Sequence, residues 1–270
     1  MTIRFPILSV HGLHRATIAG ILVAGLVSPP AFGHKTYIAS ERAVWAAVDT
    51  IEVSLTSALD YPNIEFGPAR DRVAFTSVVV GDVPVDAPDF EETETALVIS
   101  FDPQTTGFAV VAVSAHPRSG EIASEDVDSY FDEIGADAVV RAAFAALPGS
   151  PAMMRSYTKH TKLFLCVAEC ETGRDAGMRA TGQALEFVAT GEEGRSFALL
   201  RNGERVSGQM VDIHGVDGGH ATVETDADGV IQVDHAFSGP TLLSAVWITL
   251  PDQASGTYHS DQATLVVTLD

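Results

Sequence analysis

Residues 196–213 read SFALLRNGERVSGQMVDI. Two short strand-like runs flank Asn202-Gly203, a pair that favours the tight turn of a hairpin. Working outward, the same texture repeats along the last part of the chain. Strands are predicted at 185–189, 196–200, 206–213, 221–225, 230–237, 242–248 and 264–269. Turn residues part them: Gly215 to Gly219, Asp228-Gly229 and Gly239-Pro240. Seven short strands in this length describe an immunoglobulin-like β-sandwich over residues 183–270.

The earlier part reads similarly. Ile51, Val53 and Leu55 alternate with polar residues, as do Val73, Phe75, Ser77 and Val79. Strands at 97–101, 108–114 and 162–167 complete a first sandwich over 34–170. The pattern changes at Ser124. Val127, Tyr130, Phe131 and Ile134 mark one face of a helix that Ser124 can cap, and Gly135 ends it. Val139, Val140, Ala143, Phe144 and Leu147 mark a second helix, stopped by Pro148-Gly149. The short helical insert therefore spans 124–147. A polar, glycine-bearing stretch, 169–182, reads as a linker. The fold class is mainly β: two immunoglobulin-like β-sandwich domains with one short helical insert.

Residues 1–33 read as an export leader. Arg4 and Arg15 make a basic start, Ala16–Val27 is an apolar run, and Ala31-Phe32-Gly33 offers small residues at the cleavage positions. The run is too short to span a bilayer, which takes roughly twenty residues. Cleavage after Gly33 makes His34 the first residue of a periplasmic or secreted protein. The full chain of 270 residues carries a net charge of −20. Losing Arg4 and Arg15 leaves 14 basic residues against 36 acidic ones, a net charge of −22. Such a polyanion repels nucleic acid and anionic membranes and attracts cations.

Cys166 and Cys170 are the two cysteines. Four residues apart on a straight strand they lie roughly 13 Å from each other, so a disulfide needs a turn at Val167-Ala168-Glu169. A disulfide, two free thiols and a metal site stay open on spacing alone.

His34 joins a terminal amine and an imidazole on one residue, two donors for nickel, cobalt, copper or zinc. His214 and His220 flank the loop Gly215-Val216-Asp217-Gly218-Gly219. A five-residue loop places the two rings directly opposite each other on one face, about 5 Å apart at Cβ. Asp212 and Asp217 add negative charge nearby. Asp226-Ala227-Asp228-Gly229 has the look of a calcium loop but lacks the distant Glu and reads as a turn. His116, His160, His235 and His259 are scattered. No G-x-S-x-G, H-E-x-x-H, phosphate loop or dinucleotide fingerprint is present. The chain reads as a binding protein rather than an enzyme.

Several segments stand in a telling order: Tyr130-Phe131-Asp132-Glu133-Ile134-Gly135, Ser156 to Lys162 (SYTKHTK), Leu185 to Val188 (LEFV), Leu200 to Glu204 (LRNGE), Thr225 to Gly229 (TDADG), Gly239 to Ala245 (GPTLLSA) and Tyr258 to Leu265 (YHSDQATL). In that order they resemble secreted proteins of domain-of-unknown-function family 4198. Some members of that family are linked to nickel or cobalt uptake, and many begin their mature chain with His. The resemblance implies a periplasmic binding protein for a divalent transition metal, working with a membrane permease. One departure stands out: Ser57 to Pro62 reads SALDYP where the nickel-linked members tend to carry His-Pro. A structural module recognising a protein or glycan is the alternative. A copper-dependent oxidative enzyme built on His34 is a further one, and it needs a second imidazole packed against that residue.

Overall fold

Runs such as Phe108–Val113 (FAVVAV) and Leu163–Val167 (LFLCV) are apolar at every position. A strand of that kind must be covered on both faces. The computed structural model shows how this is met. It describes residues 34–191, 194–253 and 255–270; the stretch 1–33, expected to be an export leader cleaved after Gly33, lies outside the described residues.

A central ten-stranded sheet lies between two four-stranded sheets. With strands numbered in chain order, the first outer sheet runs β1 (Lys35–Ala39), β3 (Ile51–Ala58), β7 (Leu97–Phe101), β6 (Asp89–Glu92). The central sheet runs β15 (His220–Glu224), β14 (Met210–Gly215), β17 (Gly239–Thr249), β18 (Tyr258–Leu269), β10 (Met153–Val167), β8 (Gly107–Ala115), β4 (Val73–Val80), β5 (Val83–Pro84). Two short strands, β2 (Val44–Trp45) and β9 (Arg118–Ile122), also pair with β10. The second outer sheet holds β11 (Leu185–Ala189), β12 (Ser196–Arg201), β13 (Glu204–Arg205) and β16 (Val230–Gln232). The chain is mainly β, with sandwich packing on each side of the shared sheet.

Side-chain alternation assigns the two cores. Leu163, Leu165 and Val167 of β10 join Ile51, Val53, Leu55, Leu97 and Ile99 of the first outer sheet. Phe164, one step out of phase, joins Leu185, Phe187, Phe197 and Leu199 of the second. On β18, Val266 enters the first core while Leu265 and Val267 enter the second. Each such side chain, fully buried, stabilises the fold by about 1.5–3 kcal/mol.

The boundary expected at 169–182 falls inside this arrangement. β10, from the first half, pairs in parallel with β18, from the second, through nine residue pairs, Arg155↔Tyr258 to Leu163↔Val266. Residues 34–270 lie within one compact unit. Nor is 169–182 a free linker: the Phe108 amide donates to Thr172 O at 2.8 Å, and Ala176, in the 3-10 turn Arg174–Met178, enters the second core.

The strand expected from Lys162 begins nine residues earlier, at Met153. Its polar side chains hide the alternation because they are matched by partners rather than excluded. Lys162 and Glu186 are each about 1% exposed and meet at 2.5 Å. The Lys162 ammonium also donates to Phe187 O, and the Glu186 carboxylate accepts from Thr181 and Gly182. Burial alone raises the Glu186 pKa, but the Lys162 charge and these donors hold it below the usual range. This ion pair ties the central sheet to the second outer sheet.

The insert comprises a 3-10 turn at Ser124–Asp126, α1 (Val127–Glu133) and α2 (Ala138–Ala145). Ser124 does not cap the helix: its hydroxyl donates to Glu125, and Asp137 instead caps α2 by accepting the Val140 amide at 2.8 Å. Val127, Tyr130, Phe131 and Val140 form a third core with Ile122, Met153 and Tyr258. Cys166 and Cys170 are joined in a disulfide with a Cα separation of 5.1 Å. The turn it needs is made by Ala168, which adopts φ +62°, and by the Glu169 amide donating to Val167 O. Among the described residues, no helix is long and apolar enough to cross a membrane.

Candidate metal centre

The hairpin β14–β15 sits at one edge of the central sheet. Its turn is closed by the Gly215 amide on Gly219 O and the Gly218 amide on Gly215 O, and the Asp217 carboxylate accepts the Gly219 amide. Gly218 adopts φ +86°, a conformation that costs other residues roughly 1–2 kcal/mol. The turn sets the register His214↔His220 and Asp212↔Thr222. Side chains two apart on a strand share a face, so Asp212, His214 and His220 project together.

The two imidazoles stack, with centroids 4.6 Å apart and planes inclined by 23°. His220 Nε2 lies 3.5 Å from Asp212 Oδ1, and that oxygen also accepts from the Thr222 hydroxyl at 2.8 Å. One ligand atom from each of Asp212, His214 and His220 falls within 4.8 Å of the others. His214 Nε2 is buried and has no hydrogen-bond partner. Burial pushes the His214 pKa down to about 4, with Lys35 and His220 acting in the same direction against Asp212 and Asp60. The ring is therefore neutral at pH 7 and offers a lone pair. His220 and Asp212 remain half exposed, so one side of the cluster opens to water.

The structure brings His214 and His220 together and adds Asp212 as a third donor. His34 does not join that group. Its ring packs edge-on against Phe66 with centroids 5.3 Å apart, and its carbonyl accepts from Lys159 Nζ at 2.7 Å. Burial, followed by the Lys159 charge, lowers the His34 pKa, which Glu65 partly opposes. Lys159 is itself pushed down to about 8 by burial and by Arg155 and Arg118. The ring packed on His34 is Phe66, not the second imidazole that a copper enzyme would require. The disulfide removes Cys166 and Cys170 as thiolate ligands. At 226–229 the Asp226 carboxylate accepts the amides of Asp228 and Val230, which makes an ordinary hairpin turn.

A second constellation is absent from the local sequence pattern because its members come from strands far apart in the chain. Ser156 and His259 are paired across β10 and β18. Ser156 Oγ lies 2.7 Å from His259 Nδ1, and His259 Nε2 lies 3.3 Å from Asp261 Oδ1. The same Asp261 oxygen lies 3.1 Å from His160 Nε2, and His160 Nδ1 lies 2.8 Å from Ser114 Oγ. The signal that sequence did offer was His259 two positions before Asp261 on a strand.

No family model and no curated protein matches the chain. Among solved structures, it is similar to a biofilm associated protein, BSP domain, at 12% identity and a TM-score of 0.19. That match covers 86% of this chain and 30% of the other, so the chain spans less than a third of that neighbour's length.

Proposed function

We propose that the protein binds one divalent transition metal through Asp212, His214 and His220, and that it does so outside the cytoplasm in metal uptake or handling. The observation that carries this is the partnerless, neutral, buried Nε2 of His214 beside two further donors. Leaving such an atom unsatisfied costs about 1–3 kcal/mol, and a bound cation removes that cost. In tetrahedral coordination at about 2.1 Å, neighbouring ligand atoms stand about 3.4 Å apart. The 3.5 Å between His220 and Asp212 matches that edge. Two imidazoles and a carboxylate suit nickel, cobalt, copper and zinc. The exposed side of the cluster leaves a position for water or for a donor from a receiving permease. The export leader, the acidic surface and the resemblance to family 4198 support the periplasmic setting and the nickel or cobalt preference.

Calorimetric titration of the metal-free protein with Ni²⁺, Co²⁺, Cu²⁺ and Zn²⁺ tests the reading. The expected result is one site per chain, a visible Co²⁺ spectrum of a nitrogen–oxygen site, and affinity at least about 100-fold weaker in His214→Ala. His34→Ala should bind as the parent does. Unchanged affinity in the double variant His214→Ala/His220→Ala would overturn the assignment.

A further inference from the structure

The network around Asp261 links two serines to one carboxylate through two imidazoles. Burial alone raises the Asp261 pKa, but the hydrogen bonds from His160 and His259 bring it below the usual carboxylate range, so the group is ionised. A carboxylate only accepts hydrogen bonds. Both Nε2 atoms that meet Asp261 Oδ1 therefore carry the hydrogen, and in the neutral form of each ring the Nδ1 atom presents a lone pair. Ser156 and Ser114 must then be the donors, each giving its hydroxyl hydrogen to a histidine.

The two arms differ in access. Ser114 is buried, and its oxygen accepts from Gln183 Nε2 at 3.2 Å, so the inner arm is closed. Ser156 is half-buried, and the His259 side chain is 35% exposed, so the outer arm reaches solvent. A hydroxyl hydrogen-bonded to an imidazole whose other nitrogen is held by a carboxylate is the arrangement of an activated nucleophile. The ring nitrogens exchange roles relative to the familiar triad, with Nδ1 toward the serine and Nε2 toward the acid. The proton balance is unaffected.

We propose that Ser156 is a nucleophile toward activated acyl esters, with His259 as its general base and Asp261 as the group that orients His259. Ser156 Oγ forms a bond to the ester carbonyl carbon as its proton passes to His259 Nδ1. The carbon–oxygen bond to the leaving alcohol then breaks, and the alcohol takes that proton. Water attacks the acyl-serine in the same way, giving up its proton through His259 and releasing the carboxylic acid. No oxidant or metal is required, so the activity is independent of Asp212, His214 and His220.

The test uses the purified, metal-free protein with a fluorophosphonate probe and with p-nitrophenyl acetate. Peptide mapping is expected to find the phosphonyl adduct on Ser156 and none in Ser156→Ala, a substitution that removes one half-buried oxygen and keeps the fold. The labelling rate should fall about 100-fold or more in His259→Gln and stay at the parent value in His214→Ala. Absence of an adduct on Ser156, or an equal rate in a folded His259→Gln, overturns the proposal. Matching thermal midpoints identify folded variants. Should His259→Gln not fold, ester hydrolysis by Ser156→Ala decides: retention of the parent rate overturns the proposal, and loss supports it.

Discussion

His214 carries a neutral imidazole to a place where it gains no hydrogen bond at Nε2. Its proton affinity has a measurable consequence. Folded, the ring takes up a proton near pH 4, whereas an unfolded histidine does so near pH 6.5. Between those values the unfolded chain holds more protons, so stability falls as the pH drops through that window. Metal-free protein should show a declining denaturant midpoint from pH 6.5 to 4, and His214→Gln should decline less steeply. Parallel curves for the two proteins would count against a depressed His214. Asp261 works in the same sense at lower pH, since its depressed pKa stabilises the fold at neutral pH and that contribution is lost only in stronger acid.

At the scale of the element, the β14–β15 hairpin was legible in advance. A five-residue loop between two histidines, rich in glycine, fixes the register and hence the facing rings. Asp212 follows from the period of two. What sequence did not reveal was the first part of β10, ahead of Lys162, where Ser156, Lys159 and His160 interrupt the apolar alternation. Those side chains and Lys162 are accommodated by partners from elsewhere, Glu186 24 residues on from Lys162 and His259 103 residues on from Ser156, and pairing at such separations has no local trace. The hairpin offers a direct check. Gly218→Ala should cost about 1 kcal/mol through its positive φ and weaken metal binding by displacing His220, read by calorimetry beside thermal denaturation. An unaffected affinity would mean that the turn does not hold the ligand geometry.

For the whole molecule, the composition change at 169–182 suggested two independent sandwiches, whereas the central sheet is built from both halves. β10 and β18 each contribute to both main cores, so neither core can dissolve without exposing the other. Scanning calorimetry should show one transition for residues 34–270. Lys162→Met leaves the Glu186 carboxylate buried without its cation and should lower stability by about 3–5 kcal/mol, shifting that transition without splitting it. Two resolved transitions in the parent would show that the halves melt separately despite the shared sheet.

The seating of β18 between β17 and β10 also orders events in time. A chain delivered from its amino end presents β10 long before 258–269 arrives, and until then the pairing edge of β10 stands open. A half-delivered molecule is thus a template for any neighbouring extended segment, its own siblings included. Keeping such chains apart, or holding them unfolded until 258–269 has emerged, is the handling this topology demands of whatever machinery makes it.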